Sequence, residues 1–135
     1  MTARVLIVDD HASFRSLARR LLVADGFDVV GEAGDAADAF EAVRALAPDV
    51  VLLDIRLPDL DGFGVAEVLA GDDAVDGAPV VVLVSSRARH DYGPRVDSSP
   101  ARGFIAKDDL SGEALRRVLG DGADRSSTRQ VGGAP

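Results

Sequence analysis

The chain has 135 residues, room for one domain with a substantial core and too little for two of ordinary size. A formal net charge of −8 lacks the basic face that non-specific nucleic-acid binding needs, and the absence of cysteine excludes disulfides and thiolate chemistry. No apolar run approaches the ~18 residues of a membrane span and the N-terminus has no signal-peptide plan, so the cytoplasm is expected by elimination.

Two kinds of segment alternate along the chain. RVLIVD (4–9) is short, β-branched and almost continuously apolar, the pattern of a strand buried on both faces of a parallel sheet. A helical pattern follows at 12–25, with Phe14, Leu17, Leu21 and Leu22 on one stripe. FDVVGEA (27–33) reads as the second strand. The next helix, 35–47, is capped by Asp35 and buries Ala36, Ala39, Phe40, Val43 and Leu46. DVVLLD (49–54) is the third strand, and LPDLDG turns the chain into a shorter helix at 61–71 that faces Phe63, Ala66 and Leu69 or Ala70 inward.

PVVVLV (79–84) is the fourth strand. The segment after it, 87–100, contains Gly93-Pro94, which shortens or breaks a fourth helix. RGFIA (102–106) is the fifth strand, and a last helix runs over 111–120 from a Ser111 cap to a glycine stop. Residues 1–120 thus form one domain. Residues 121–135 have almost no apolar content and are expected to be a disordered C-terminal tail. Five strand–helix units in this length make an α/β doubly wound fold with a parallel sheet.

In such sheets ligands bind beyond the carboxyl ends of the strands. The first strand ends in Asp9 and Asp10, the third in Asp54, the fourth in Ser85 and Ser86, and the fifth in Lys107. Lys107 is the only lysine beside fourteen arginines. Each group alone has an ordinary role: turn aspartate, helix cap, solvated ammonium. Together they gather three carboxylates, hydroxyls and an amine at one sheet edge. Clustered carboxylates repel unless a cation sits among them, and an all-oxygen set suits Mg2+. Such a site can also accept a phosphoryl group, by in-line attack of a carboxylate while cations offset the equatorial charge.

At these residues the sequence resembles the response-regulator receiver domains of two-component signalling. VLIVDDH resembles that family's acidic pair, VVLLDIRLPDLDG its phosphorylation-site strand and loop, and GFIAKDDL its conserved-lysine strand. The resemblance covers residues 3 to about 120 and implies strand order 2-1-3-4-5 with a flavodoxin-like fold. It implies Asp54 as the phosphoacceptor, Asp10 as a direct Mg2+ ligand, Asp9 as a ligand through water, and the backbone carbonyl of Arg56 as a further ligand. Lys107 would pair with the phosphoryl group, and Phe104 holds the switch aromatic position, where plain core packing is the competing role. His11 is set aside as neither ligand nor phospho-carrier.

The family also places Thr or Ser at the end of the fourth strand to bond the phosphoryl group. Counting back from Lys107 selects Ser85, while counting forward from Asp54 selects Val84; Ser85 is the choice adopted. Asp108, where many members carry proline, and the interrupted fourth helix are further departures.

The resulting expectation is a Mg2+-dependent phosphoacceptor that takes its phosphoryl group from a sensor histidine kinase and switches protein contacts. It would be a signalling switch rather than a turnover enzyme, with no direct nucleic-acid or membrane partner. Two alternatives stand beside it. One is a receiver-like docking module with weak or no phosphorylation. The other is an aspartyl-phosphate hydrolase of the haloacid-dehalogenase type, which wants a second Asp where this chain has Arg56. The sequence leaves the downstream partner, self-association, and the choice between a single-domain regulator and a receiver cut from a longer chain open.

Overall fold

Strands that are apolar on both sides need cover on both faces, and the alternating helices supply it. In a computed structural model, which describes residues 2–71 and 78–120, the five strands are β1 (Arg4–Val8), β2 (Asp28–Ala33), β3 (Val50–Asp54), β4 (Val80–Ser85) and β5 (Gly103–Ala106). They form one parallel sheet in the order β2-β1-β3-β4-β5. The expected tail at 121–135 lies outside the described residues.

Two cores lie on opposite faces of this sheet. On one face Leu6, Val51, Leu53 and Leu83 pack against α2 (Ala36–Leu46) and α3 (Gly62–Gly71), through Ala36, Ala39, Phe63, Ala66 and Leu69. On the other, Val5, Ile7, Leu52, Val82 and Val84 pack against α1 (Ala12–Ala24) and α5 (Gly112–Gly120), through Ala18, Leu22 and Leu115. All five residues of β3 are buried. Truncating one of its leucines to alanine would cost roughly 2–5 kcal/mol.

The helix caps match the sequence reading. Asp35 accepts a hydrogen bond from the Asp38 N–H at 2.8 Å, and Ser111 accepts one from the Ala114 N–H at 2.9 Å. The interruption after β4 is also present. A 3-10 turn at Arg89–Tyr92 gives way at Gly93, whose φ is +62°, to α4, a single turn over Arg95–Ser98. One detail of α1 differs from expectation: Leu17 is 41% exposed, and Ala18 takes the inward position beside Leu22. The small side chain lets the helix backbone lie close to the sheet.

Strand order reverses between β1 and β3, and the carboxyl ends of these two strands therefore flank the fold's natural ligand crevice. No helix among the described residues is long and apolar enough to cross a membrane.

Candidate functional site

Side chains on a strand alternate between faces, so position along each strand decides what reaches the crevice. Asp9 continues the parity of Val5 and Ile7, Asp54 that of Val50 and Leu52, and Lys107 that of Ile105. All three consequently emerge on the α1/α5 side of the rim. The Lys107 ammonium lies 2.6 Å from Asp9 Oδ2 and 3.5 Å from Asp54 Oδ2. It also sits 4.5 Å from the ring centre of Phe14 on α1, a cation–π contact that directs it inward.

Asp9 and Asp54 are buried and Asp10 is partly exposed at the mouth. Asp9 Oδ1 accepts the His11 N–H at 2.8 Å. Its other oxygen, Oδ2, accepts no directed hydrogen bond among the described residues and has only the charge of Lys107 beside it. Asp54 Oδ1 accepts the Arg56 N–H at 3.2 Å. Burial pushes the Asp54 carboxyl above the usual carboxylate range, and the neighbouring Asp9 charge pushes it further; the Arg56 N–H and the Lys107 ammonium oppose this in part.

Asp54, Arg56 and Lys107 line a cavity of about 360 Å³ together with Asp10, His11, Leu57, Pro58 and Ser86. Oxygen and nitrogen atoms of Asp9, Asp10, His11 and Asp54 lie within 4.8 Å of one another, close enough to share one cation. The donor set is mostly carboxylate, which suits a hard divalent ion. Lys107 offsets one Asp9 oxygen at 2.6 Å, and a divalent ion would offset the charge of the remaining carboxylates. His11, set aside on sequence grounds, turns its Nδ1 toward Asp9 Oδ1 at 3.2 Å and Asp10 Oδ1 at 3.1 Å.

Ser85 is the departure from expectation. The β3–β4 register pairs Asp54 with Val84, and Val84 is buried in the α1/α5 core. Ser85 has the opposite parity and is fully buried on the α2/α3 side. There its hydroxyl shares a 2.5 Å hydrogen bond with the Tyr92 hydroxyl and accepts the Arg87 N–H at 3.0 Å. It is Ser86 that lines the cavity. Phe104 is half-buried on the same side as Ser85, its ring centre 6.2 Å from that of Tyr92.

The loop from β3 to α3 is fixed from two directions that the sequence did not reveal. Asp59 accepts hydrogen bonds from the N–H groups of Ala36 at 2.9 Å and Ala37 at 3.1 Å, which places its carboxylate on the N-terminus of α2. The Ala36 N–H above all holds the Asp59 carboxyl below its usual range; desolvation opposes it, and the N–H groups of Ala37, Asp59 and Leu60 add to the lowering. Gly62 closes the loop, its N–H donating to the Ile55 carbonyl at 2.7 Å. A Cβ at Gly62 would stand 2.6 Å from the Asp54 carbonyl oxygen.

Known proteins share this fold. Residues 5–119 match the family model of the response regulator receiver domain. Among curated relatives, the protein named probable transcriptional regulatory protein NarL of Mycobacterium tuberculosis is 36% identical over 133 residues, 96% of this chain and 60% of that protein. The DNA-binding response regulator MtrA of Mycolicibacterium paratuberculosis is 37% identical over 118 residues, 87% of this chain and 50% of that protein. The chain thus spans only 50% and 60% of the length of these two relatives. The solved signal receiver domain of NarL from Mycobacterium tuberculosis superposes with a TM-score of 0.79 at 34% identity, covering 92% of this chain and 98% of that one. With its strand order, its acidic rim and its family match over nearly the whole sheet, the chain belongs to the response regulator receiver domains of two-component signalling.

Proposed function

We propose that Asp54 is a phosphoacceptor and that the chain takes its phosphoryl group from the phosphohistidine of a sensor histidine kinase. One observation carries this: a buried carboxylate at the crevice mouth, with a second carboxylate and an ammonium converging on it. An Asp54 oxygen attacks phosphorus opposite the histidine nitrogen. The P–N bond breaks, its electron pair returns to the imidazole, and an acyl phosphate remains on Asp54. Lys107, already 3.5 Å from Asp54, pairs with the new oxygens, and the rigid β3 holds the nucleophile in line.

Asp10, Asp54, the Arg56 carbonyl and, through water, Asp9 are the groups to hold Mg2+. When bound, Mg2+ supplies positive charge that offsets the carboxylates and the transferred group. The phosphoryl group adds close to two negative charges to a small cavity, enough to bias a two-state rearrangement that alters protein contacts. The domain acts as a signalling switch rather than a turnover enzyme, in the cytoplasm where kinase and receiver meet.

Val84 favours a second reading, a docking module with weak phosphorylation, because the residue paired with Asp54 across the strands carries no hydroxyl. Intact-mass measurement after treatment with a small phosphodonor and Mg2+ separates the two. One added phosphoryl mass on wild type and none on Asp54→Asn is expected. No addition to wild type, under conditions that label a known receiver, supports the docking module instead.

A further inference from the structure

We propose that His11 is a ligand in the cation pocket, so that the pocket takes a divalent first-row transition ion through a nitrogen as well as carboxylate oxygens. This rests on the reading of that pocket as the cation site for phosphoryl transfer to Asp54. His11 Nδ1 lies 3.1 Å from Asp10 Oδ1 and 3.2 Å from Asp9 Oδ1. Neighbouring ligands of an octahedral ion with bonds of roughly 2.1 Å stand about 3.0 Å apart. The nitrogen is therefore already one ligand spacing from each of two carboxylate oxygens. Asp54 joins the same group, with all four ligand atoms inside 4.8 Å of one another.

The backbone holds the imidazole there. The His11 N–H donates to Asp9 Oδ1 at 2.8 Å, and its carbonyl accepts the N–H groups of Phe14 and Arg15, both at 3.1 Å. Asp9 is held in turn by Lys107 on Oδ2, and by Arg15, which donates to its carbonyl at 2.6 Å. The chain on either side of the nitrogen is thus fixed before an ion arrives.

Neutral imidazole carries its hydrogen on either ring nitrogen. With it on Nδ1, the ring donates to the two carboxylates; with it on Nε2, Nδ1 presents a lone pair at the same place. The His11 side chain is 65% exposed, so water can satisfy an Nε2–H. Mg2+ gains little from exchanging a water oxygen for this nitrogen, because it is hard and keeps its waters. Mn2+, Co2+ and their neighbours accept imidazole, with affinity for nitrogen and oxygen sites rising along the series toward Cu2+. The carboxylates thus draw a cation in, and His11 sets which kind the pocket prefers.

The chain has two histidines, His11 and His90, and His90 lies exposed in the 3-10 turn after β4. Metal-free protein loaded with Mn2+ is the test, read by electron spin-echo spectroscopy, which detects a nitrogen bonded to the ion. Wild type and His90→Asn are expected to show nitrogen coupling, and His11→Asn none. Asparagine can still donate a hydrogen bond to the carboxylates, so a purely hydrogen-bonding role for His11 would survive that change. Competition calorimetry should show the ratio of Co2+ to Mg2+ affinity falling about tenfold in His11→Asn, the lower end of what disturbing a metal's partners costs.

Mn2+ bound without nitrogen coupling, coupling that persists in His11→Asn or depends on His90, or an unchanged affinity ratio overturns the inference. The phosphoacceptor reading is judged apart, by phosphoryl mass added to wild type with Mg2+. Failure of Mn2+ to bind overturns the inference, and failure of either ion to bind, together with no phosphoryl mass, overturns both.

Discussion

The Lys107 ammonium lies 2.6 Å from Asp9 Oδ2, and this pair is the electrostatic floor of the pocket. Asp9 is fully buried and Lys107 nearly so, which means that removing one partner strands the other. Lys107→Met should therefore destabilise the metal-free protein by about 3 kcal/mol, in the range seen for broken buried pairs. Urea unfolding in the presence of a chelator measures the loss. Adding Mg2+ should recover part of it, because a second cation then faces the same carboxylates. Recovery should disappear when Asp10→Asn is combined with the lysine change.

Asp54 makes the opposite contribution. Its carboxyl is pushed up by burial and by the Asp9 charge, so folding favours its protonated form. For a carboxyl raised on folding, the contribution is fully present below the unfolded value and is lost as pH rises through the folded one. Once pH has risen through that folded value, the metal-free protein carries an ionised group that the fold disfavours. Asp54→Asn should melt at a higher temperature than wild type near neutral pH without metal. The gap should narrow as pH falls below the ordinary carboxylate range. Melting curves across that range check both the sign and the window.

Much of this pocket was legible because β3 is a continuous apolar run ending in an acid, and because the lone lysine falls at the end of β5. Run length and strand-end chemistry are local properties, and they survive folding unchanged. Which face a side chain takes is not local in that sense. Counting from Asp54 and from Lys107 gave two answers for the β4 position, and only the pairing of Asp54 with Val84 decides that Ser85 turns away. Its contact with Tyr92 depends on the path of a broken helix, for which periodicity gives no rule. The Asp59 bonds to α2 cross 22 and 23 residues and carry no motif. Leu17 shares the apolar stripe by spacing yet lies exposed, because apolar spacing identifies a stripe but not its centre.

Asp59 supplies a third prediction. Its carboxyl is held low by the backbone N–H groups of Ala36 and Ala37, so its stabilising effect is present above the unfolded carboxylate value and lost as pH falls through the folded one. Asp59→Ala should increase amide hydrogen exchange at Ala36, Ala37 and the first turn of α2, while α5 on the other face is unaffected. Asp59→Asn should retain part of the protection and remove its acid dependence. Protection that is equal in all three proteins would separate this loop from α2.

Gly62 ties the pocket loop to β3 by proximity rather than by charge. A methyl group there would meet the Asp54 carbonyl oxygen at 2.6 Å and the Ile55 Cα at 2.7 Å, both backbone atoms that cannot swing aside. Relief requires the start of α3 to move away, which stretches the bond from the Gly62 N–H to the Ile55 carbonyl. Gly62→Ala should cost about 2 kcal/mol, as overpacked core positions do. Because Arg56, Leu57 and Pro58 of the same loop line the cavity, the change should also slow labelling by a small phosphodonor. Gly64→Ala is the control, since its added methyl would meet only the movable side chain of Leu60. It should label at the wild-type rate, and equal slowing of both variants would mean that the helix start, not the close approach to β3, governs the pocket.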